Sequence, residues 1–390
     1  MKHLLIIGDG IADRPISVLG GQTPLAHLPL PGMARLASAR MGLVQTVPDG
    51  VPPGSDTAIL SIFGCDPRDC YTGRAALEAA GAGVLLRAGE TCWRVNLTTV
   101  EGDALATAKM RSHNGLGIGG EAALETVRAL MADADFAALA ASLGFVLHES
   151  PTFRQMATAP AGGNWGAPLP GPHDHLGEAV GGLLPEGNIR KLVEASFVAL
   201  KGRQANCIWP WCPGEAMTLP GFAARYGHSG PVVSAVPLVK GIAALCDLPA
   251  PEVTGATGEL DTNYAGKVEA ALAGLRDGAD FAAIHVEAPD ECSHARDVEG
   301  KLEAIRRLDA QVVLPALAGL DALGMPYRVL LLSDHPTLLD SGAHDGAPVP
   351  FCLYDSRVSA APRAFSEAAA AGGELVKEGT QLMELLFAKP

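Results

Sequence analysis

Apolar residues follow two rhythms along this chain. Short, nearly unbroken runs at Leu4–Ile7, Phe281–Val286 and Tyr327–Leu332 each stop at a glycine, a serine or an acid. Such runs predict strands buried on both faces of a sheet. Between them lie stretches with helical spacing, near Met33–Ala39, over Ser55–Phe63, and in a long amphipathic run from Val298 to Leu323. Gly42–Val47 and Val349–Tyr354 read as further strands. Strands separated by helical patterns predict βαβ units and a mostly parallel sheet in an α/β fold, flanked by helices.

The middle of the chain has another texture. From about Thr91 to about Leu200 it holds strand-like pieces, Trp93–Val100 and Phe145–His148, and an Ala-rich helical stretch, Glu121–Leu143. A Gly/Pro-rich passage follows at Pro160–Pro172. This predicts an inserted α+β domain over residues 91–200. Residues 1–90 and 201–390 then form one core domain, discontinuous in sequence. Trp209 and Trp211, flanking Pro210, fit an apolar junction between the two.

Composition narrows the function classes. Apolar residues are 48% and charged residues 18%, which supplies a core and excludes long disorder. Lys and Arg number 29 against 43 Asp and Glu, a net charge of −14 with no basic stripe, so no nucleic-acid partner is expected. Phosphate binding would need local cations or metals. No apolar run reaches the ~18 residues of a membrane helix, so no membrane association is expected. The first run ends at once in Asp9, as a buried strand does and a leader peptide does not. Eight scattered cysteines without a C-x-x-C pair predict reduced thiols and a cytoplasmic location. The pattern does not specify an oligomeric state.

The chemistry lies at the strand ends. Asp9 closes the first run, Asp290 and His294 follow Phe281–Val286, and Asp334-His335 close Tyr327–Leu332, with His344 nine residues beyond His335. Ligands of open α/β sheets bind past the carboxyl ends of strands. Three carboxylates and three imidazoles on one sheet edge suit two divalent metals, Mn²⁺, Zn²⁺, Fe²⁺ or Mg²⁺, with Ser55 or water completing the shells. Each residue alone has a plainer reading. A strand-end Asp is commonly a cap, Asp290 and His294 form an i, i+4 pair on a solvated helix, and Ser55 after Pro52-Pro53-Gly54 is an N-cap. Only their joint occurrence favours a site. In that site Ser55, at a helix start with its free N–H groups, is the candidate nucleophile. His285 and Glu287 border the site as orienting or merely packed residues, and Cys292 reads as packed.

Ordered strings along nearly the whole chain carry a resemblance. They include Gly8-Asp9-Gly10, Pro53-Gly-Ser-Asp-Thr-Ala58, Tyr71-Thr-Gly-Arg74, Pro172-His173-Asp174, Asp261-Thr-Asn-Tyr264, His285-Val-Glu-Ala-Pro-Asp290 and Ser333-Asp-His-Pro-Thr337. The chain resembles the archaeal-type cofactor-independent phosphoglycerate mutases, within the alkaline phosphatase-like metalloenzymes. That resemblance implies an alkaline phosphatase-like core with an inserted lid, and a Ser55 that takes the phosphoryl group. It implies Asp9, Ser55, Asp334 and His335 as ligands of one metal and Asp290, His294 and His344 of the other, with Mn²⁺ the first expectation. It places Lys240 facing the phosphoryl group, and Arg154 and His173 facing the substrate. Two strings depart from the family pattern. Phe153-Arg154-Gln155 stands where Tyr-Arg-His is expected, and Gly342-Ala-His-Asp345 where Thr-His-Thr is usual. Both departures keep the ligands and bear on the substrate.

The implied activity is interconversion of 3-phosphoglycerate and 2-phosphoglycerate, with a small phosphorylated molecule as the partner. The same site would also suit a phosphatase, or a transferase to another alcohol such as a homoserine-related one. No separate nucleotide site is visible, which counts against a kinase. Retention of Ser55 with all six other ligands counts against a metal-binding protein without activity.

Overall fold

The computed structural model describes residues 1–388, in two compact units: residues 1–71 with 218–388, and residues 72–217. The units divide outside the expected 91 and 200. The Arg74–Gly81 helix packs on the Glu90–Glu101 strand, and the Cys207–Glu215 strand pairs with that same strand.

Unit 1 is built on a seven-stranded sheet. Its order is Glu374–Val376, Arg40–Val44, Val349–Asp355, Tyr327–Ser333, Lys2–Gly8, Phe281–Val286, Val232–Val233. Every pairing is parallel except the two made by Val349–Asp355, so the mostly parallel expectation holds with one reversed strand. The central strands are buried along almost their whole length, which is why they read as continuous apolar runs. The run Val298–Leu323 is helical but not uniform, because a π-helical turn, Leu308–Val313, joins Val298–Arg307 to Leu314–Ala322.

Register places the chemistry. Gly8 is level with both Val286 and Ser333. The residues that follow, Asp9, Glu287 and Asp334, therefore leave the sheet at one height and on one edge.

Unit 2 is an antiparallel sheet with helices on both faces. The Glu90–Glu101 strand pairs with Lys109–Ser112, Arg154–Pro160 and Cys207–Glu215. Trp93, Val95 and Leu97 point from it into a core shared with the Glu121–Ala132, Ala134–Leu143 and Asn188–Ala199 helices. The expected Glu121–Leu143 helix is two helices. Asp133 accepts a hydrogen bond from the Phe136 amide at 3.0 Å and so starts a new helix. Trp209 belongs to this core, not to a junction between units. The opposite face carries Cys92 and Met156 under the Arg74–Gly81 helix.

Candidate active site

Six residues singled out at the strand ends of unit 1 converge, and Ser55 joins them. Gly10, at φ 62°, makes the turn after Asp9, where any Cβ would lie 2.9 Å from the Asp290 backbone. Its amide donates to Asp334 Oδ1 at 3.1 Å. Asp9, Asp334 and His335 each offer a ligand atom within 4.8 Å of the others, and so do Asp290, His335 and His344. His335 thus stands in both groups rather than in one. His294 adds its Nε2 at 3.1 Å from Asp290 Oδ2.

Ser55 is not an N-cap. Gly54 occupies that position, and Ser55 is the first helical residue of Ser55–Ile62. Its hydroxyl lies 3.3 Å from Asp9 Oδ2 and 3.1 Å from His335 Nε2. Asp290 and His294 are not a solvated surface pair either, since Asp290 is only 4% exposed.

The donor set fits divalent cations. Asp9 Oδ1 and Asp334 Oδ2 are buried without a hydrogen-bond donor. The hydrogen bonds to the ring nitrogens fix the imidazole tautomers. Nδ1–H of His294 donates to the Gly342 carbonyl (2.8 Å), and that of His344 to the Pro53 carbonyl (3.3 Å). Thr337 spends its own proton on Asp290 Oδ1 (2.5 Å), so His335 Nδ1–H donates to Thr337 Oγ1 (3.2 Å). In its neutral form each ring would then turn an Nε2 lone pair toward the carboxylates, as metal-ligating histidines do. Burial, and then the Asp334 charge, push Asp9 well above the usual carboxylate range. A bound cation would reverse that repulsion. Burial by itself would raise Asp290, but hydrogen bonds with His294 and His344 hold it well below the usual range. The bond to Asp290 in turn pushes His294 up to about 9, so a cation there competes with a proton. Burial lowers His335, which favours the neutral ring that ligates.

A second layer orients these groups. His285 Nε2 lies 2.9 Å from Asp9 Oδ2, and its Nδ1 3.1 Å from Ser234 Oγ. A carboxylate at Asp9 can only accept, so the ring's Nε2–H donates to it, and the Ser234 hydroxyl, which itself accepts from the Val236 amide, donates to the bare Nδ1. His285 is thereby an orienting partner and not merely packed, and burial keeps it neutral, down to about 3. The sequence reading missed Thr337, Lys267 and the Lys301–Asp13 pair. Lys301, fully buried, holds Asp13 at 2.8 Å and the Thr337 carbonyl at 2.7 Å. Its signal was present: Lys301 falls in the apolar stripe of Val298, Leu302 and Ile305. Lys267, pushed down to about 8 by burial, donates to the His285 carbonyl at 3.2 Å.

Other expected residues are not among the grouped ligands. Lys240 is held by both oxygens of Glu252 at 2.7 Å. Cys292 packs against the unit 1 core and belongs to neither metal cluster. Arg154 and His173 belong to unit 2. There Arg154 lies over the Phe153 ring at 5.2 Å, and His173 meets the Trp211 ring edge-on at 5.5 Å. Around them, Glu78 pairs with Arg74 (2.8 Å) and Arg94 (3.0 Å). Burial opposes ionisation of Glu78, but Arg94 and Arg74 hold it below the usual range.

A mostly parallel sheet that gathers carboxylates and imidazoles past its strand ends defines a metal-dependent α/β enzyme. Residues 37–160 match the family model described as 2,3-bisphosphoglycerate-independent phosphoglycerate mutase. A Geobacter sulfurreducens protein named as a probable member is 38% identical, covering 99% of this chain and 100% of its own. The Methanothrix thermoacetophila mutase is also 38% identical, with both chains covered completely. The chain belongs to the 2,3-bisphosphoglycerate-independent phosphoglycerate mutases. A solved Pyrococcus horikoshii protein shares the fold at a TM-score of 0.77 and 27% identity, covering 99% of this chain and 96% of that one. The cofactor-independent phosphoglycerate mutase of Thermoplasma acidophilum shares it at 0.63 and 22% identity, with 99% of each chain covered.

Proposed function

We propose that this chain interconverts 3-phosphoglycerate and 2-phosphoglycerate without a bisphosphoglycerate cofactor, carrying the phosphoryl group on Ser55. The observation behind this reading is the Ser55 hydroxyl held beside Asp9 and His335, in a chain whose full-length relatives carry that name. Two divalent ions, Mn²⁺ first among them, would be held by Asp9, Ser55, Asp334 and His335, and by Asp290, His294 and His344. Such ions lower the pKa of a serine hydroxyl and neutralise charge on phosphoryl oxygens.

The chain's own groups supply the rest. As the Ser55 Oγ–P bond forms and the P–O bond to glycerate breaks, the serine proton must leave. Asp9 Oδ2 is the acceptor within reach, since the Nε2 lone pair of His335 would be committed to the metal. The Ser234–His285 chain keeps Asp9 aimed. Lys240 would exchange Glu252 for the phosphoryl oxygens. Glycerate stays bound, turns, and receives the group on its other hydroxyl. That step requires water to be kept out, and Arg154 and His173 of the inserted unit would grip the glycerate or phosphate meanwhile. Among the described residues no helix is long and apolar enough to cross a membrane. A cytoplasmic site of action fits free thiols and a small phosphorylated substrate.

The test is to supply purified protein with 3-phosphoglycerate and Mn²⁺, without bisphosphoglycerate. Formation of 2-phosphoglycerate that chelation abolishes is the expected result. Release of inorganic phosphate alone would overturn the mutase reading.

A further inference from the structure

The inserted unit carries an arrangement that the mutase reading leaves unused. Arg94 and Asn96 alternate on one face of the Glu90–Glu101 strand, both buried, at 6% and 1% exposure. Arg94 is the cross-strand partner of Trp211, and Asn96 that of Arg154. The Arg94 guanidinium lies over the indole at 4.4 Å, while its Nε is ion-paired with Glu78 at 3.0 Å. The indole Nε1–H donates to Asn96 Oδ1 at 3.0 Å. The indole is therefore fixed both by a stack and by a directional bond. The His173 ring meets it at 5.5 Å and 64°.

The backbone is bent to produce this contact. Register slips between Cys92 and Arg94, so that Cys92 faces Gly214 while Arg94 faces Trp211. Two steps on one strand span three on the other, and Cys212, inside the bulge, has φ 51°. A left-handed cysteine is costly, and bulges of this kind re-aim a side chain.

We propose that Trp211 is a positioning residue that seats the His173 imidazole for substrate, its indole being clamped by Arg94 and Asn96. This rests on the reading that His173 and Arg154 hold the substrate. The indole does not touch the reacting atoms. It limits the angles His173 can sample, and so reduces the ordering His173 must undergo when glycerate binds.

Three variants test it. Trp211→Leu removes the aromatic surface. Trp211→Phe keeps a ring over Arg94 and loses only the bond to Asn96. His173→Gln reports the underlying reading. Far-UV circular dichroism and melting establish which variants are folded. With Trp211→Leu, KM for 3-phosphoglycerate should rise about tenfold, more than kcat falls, and the ratio of free phosphate to 2-phosphoglycerate should rise. Trp211→Phe should recover most of both. The His173 Hε1 proton resonance, located by its loss in His173→Gln, should move in Trp211→Leu as the ring current is removed. If His173→Gln alters KM or the phosphate ratio while Trp211→Leu alters neither, the positioning role is overturned and the substrate reading stands. If His173→Gln changes neither quantity, the substrate reading fails and the proposal falls with it. Should Trp211→Leu not fold, Trp211→Met, which also lacks the ring, takes its place: a KM, a phosphate ratio and a His173 resonance all unchanged in that variant would refute the positioning role.

Discussion

His294 and His344 bring their Nε2 atoms within 3.0 Å of each other while each Nδ1 faces a backbone carbonyl, of Gly342 and Pro53. Two lone pairs at that distance repel unless a cation or a proton lies between them. Asp290 joins them from both sides, 3.1 Å from His294 and 3.6 Å from His344. The pair, with Asp290, thus forms a candidate ligand set in which the two histidines stand 50 apart in sequence.

Metal content follows from this geometry. Carefully loaded protein should hold about two divalent ions per chain. His294→Ala should lower this to about one by emptying the Asp290 side, and Asp334→Ala should empty the Asp9 side instead. Elemental analysis with chelator competition measures both. Fewer than one ion per loaded wild-type chain would reject the two-ion site.

Ser55 should be indispensable to transfer but not to folding. As the first residue of its helix it accepts a small replacement. Ser55→Ala should lower the mutase rate by about 10⁴-fold or more with an unchanged melting profile. Labelled substrate quenched on the wild type should leave phosphate on the peptide around Ser55. Label on His173 or His344 would exclude the phosphoserine route.

Arg154 bears on partition between product and water. Its planar fork suits a carboxylate or a phosphate. Arg154→Ala should slow the mutase about 10²-fold, a ΔΔG‡ of ~2.7 kcal/mol. It should also release more inorganic phosphate per 2-phosphoglycerate formed. Equal rates and equal ratios in the two proteins would remove Arg154 from the substrate grip.

Glu78 gives a pH signature. Arg94 and Arg74 overcome the effect of burial and leave its folded pKa below the unfolded one. Its contribution to stability is therefore complete above the ordinary glutamate range. It is lost as pH falls through the folded value. Removing one partner of a buried ion pair costs about 3 kcal/mol. Glu78→Gln should thus be less stable by roughly that amount at neutral pH, and the gap should narrow in acid. Denaturant melts across pH measure it, and a gap independent of pH would contradict the assignment.

Much of unit 1 was legible because its physics is local. A strand buried on both faces must be apolar throughout, so Phe281–Val286 announced itself with the observed bounds. Parallel register then carries a residue following one strand to the same edge as those following its neighbours. Asp9, Asp290 and Asp334 could accordingly be grouped before any coordinates were known. What local periodicity cannot encode is pairing across long separations. The Cys207–Glu215 strand lies on Glu90–Glu101, and this moved the unit boundary to 217. The reversal of Val349–Asp355 within a parallel sheet leaves no mark on its apolar run. Ser55 resembled a cap because any serine at a helix start does, and only the approach of Asp9 and His335 sets it apart from one. The burial of Lys301 and Arg94 depends on a distant partner, Asp13 or Glu78, that sequence alone does not bring near. Sequence by itself determined which residues could ligate and where strands must end. Tertiary structure decided which of them meet, because a charge, a lone pair or an indole takes its role from what lies 3 to 5 Å away.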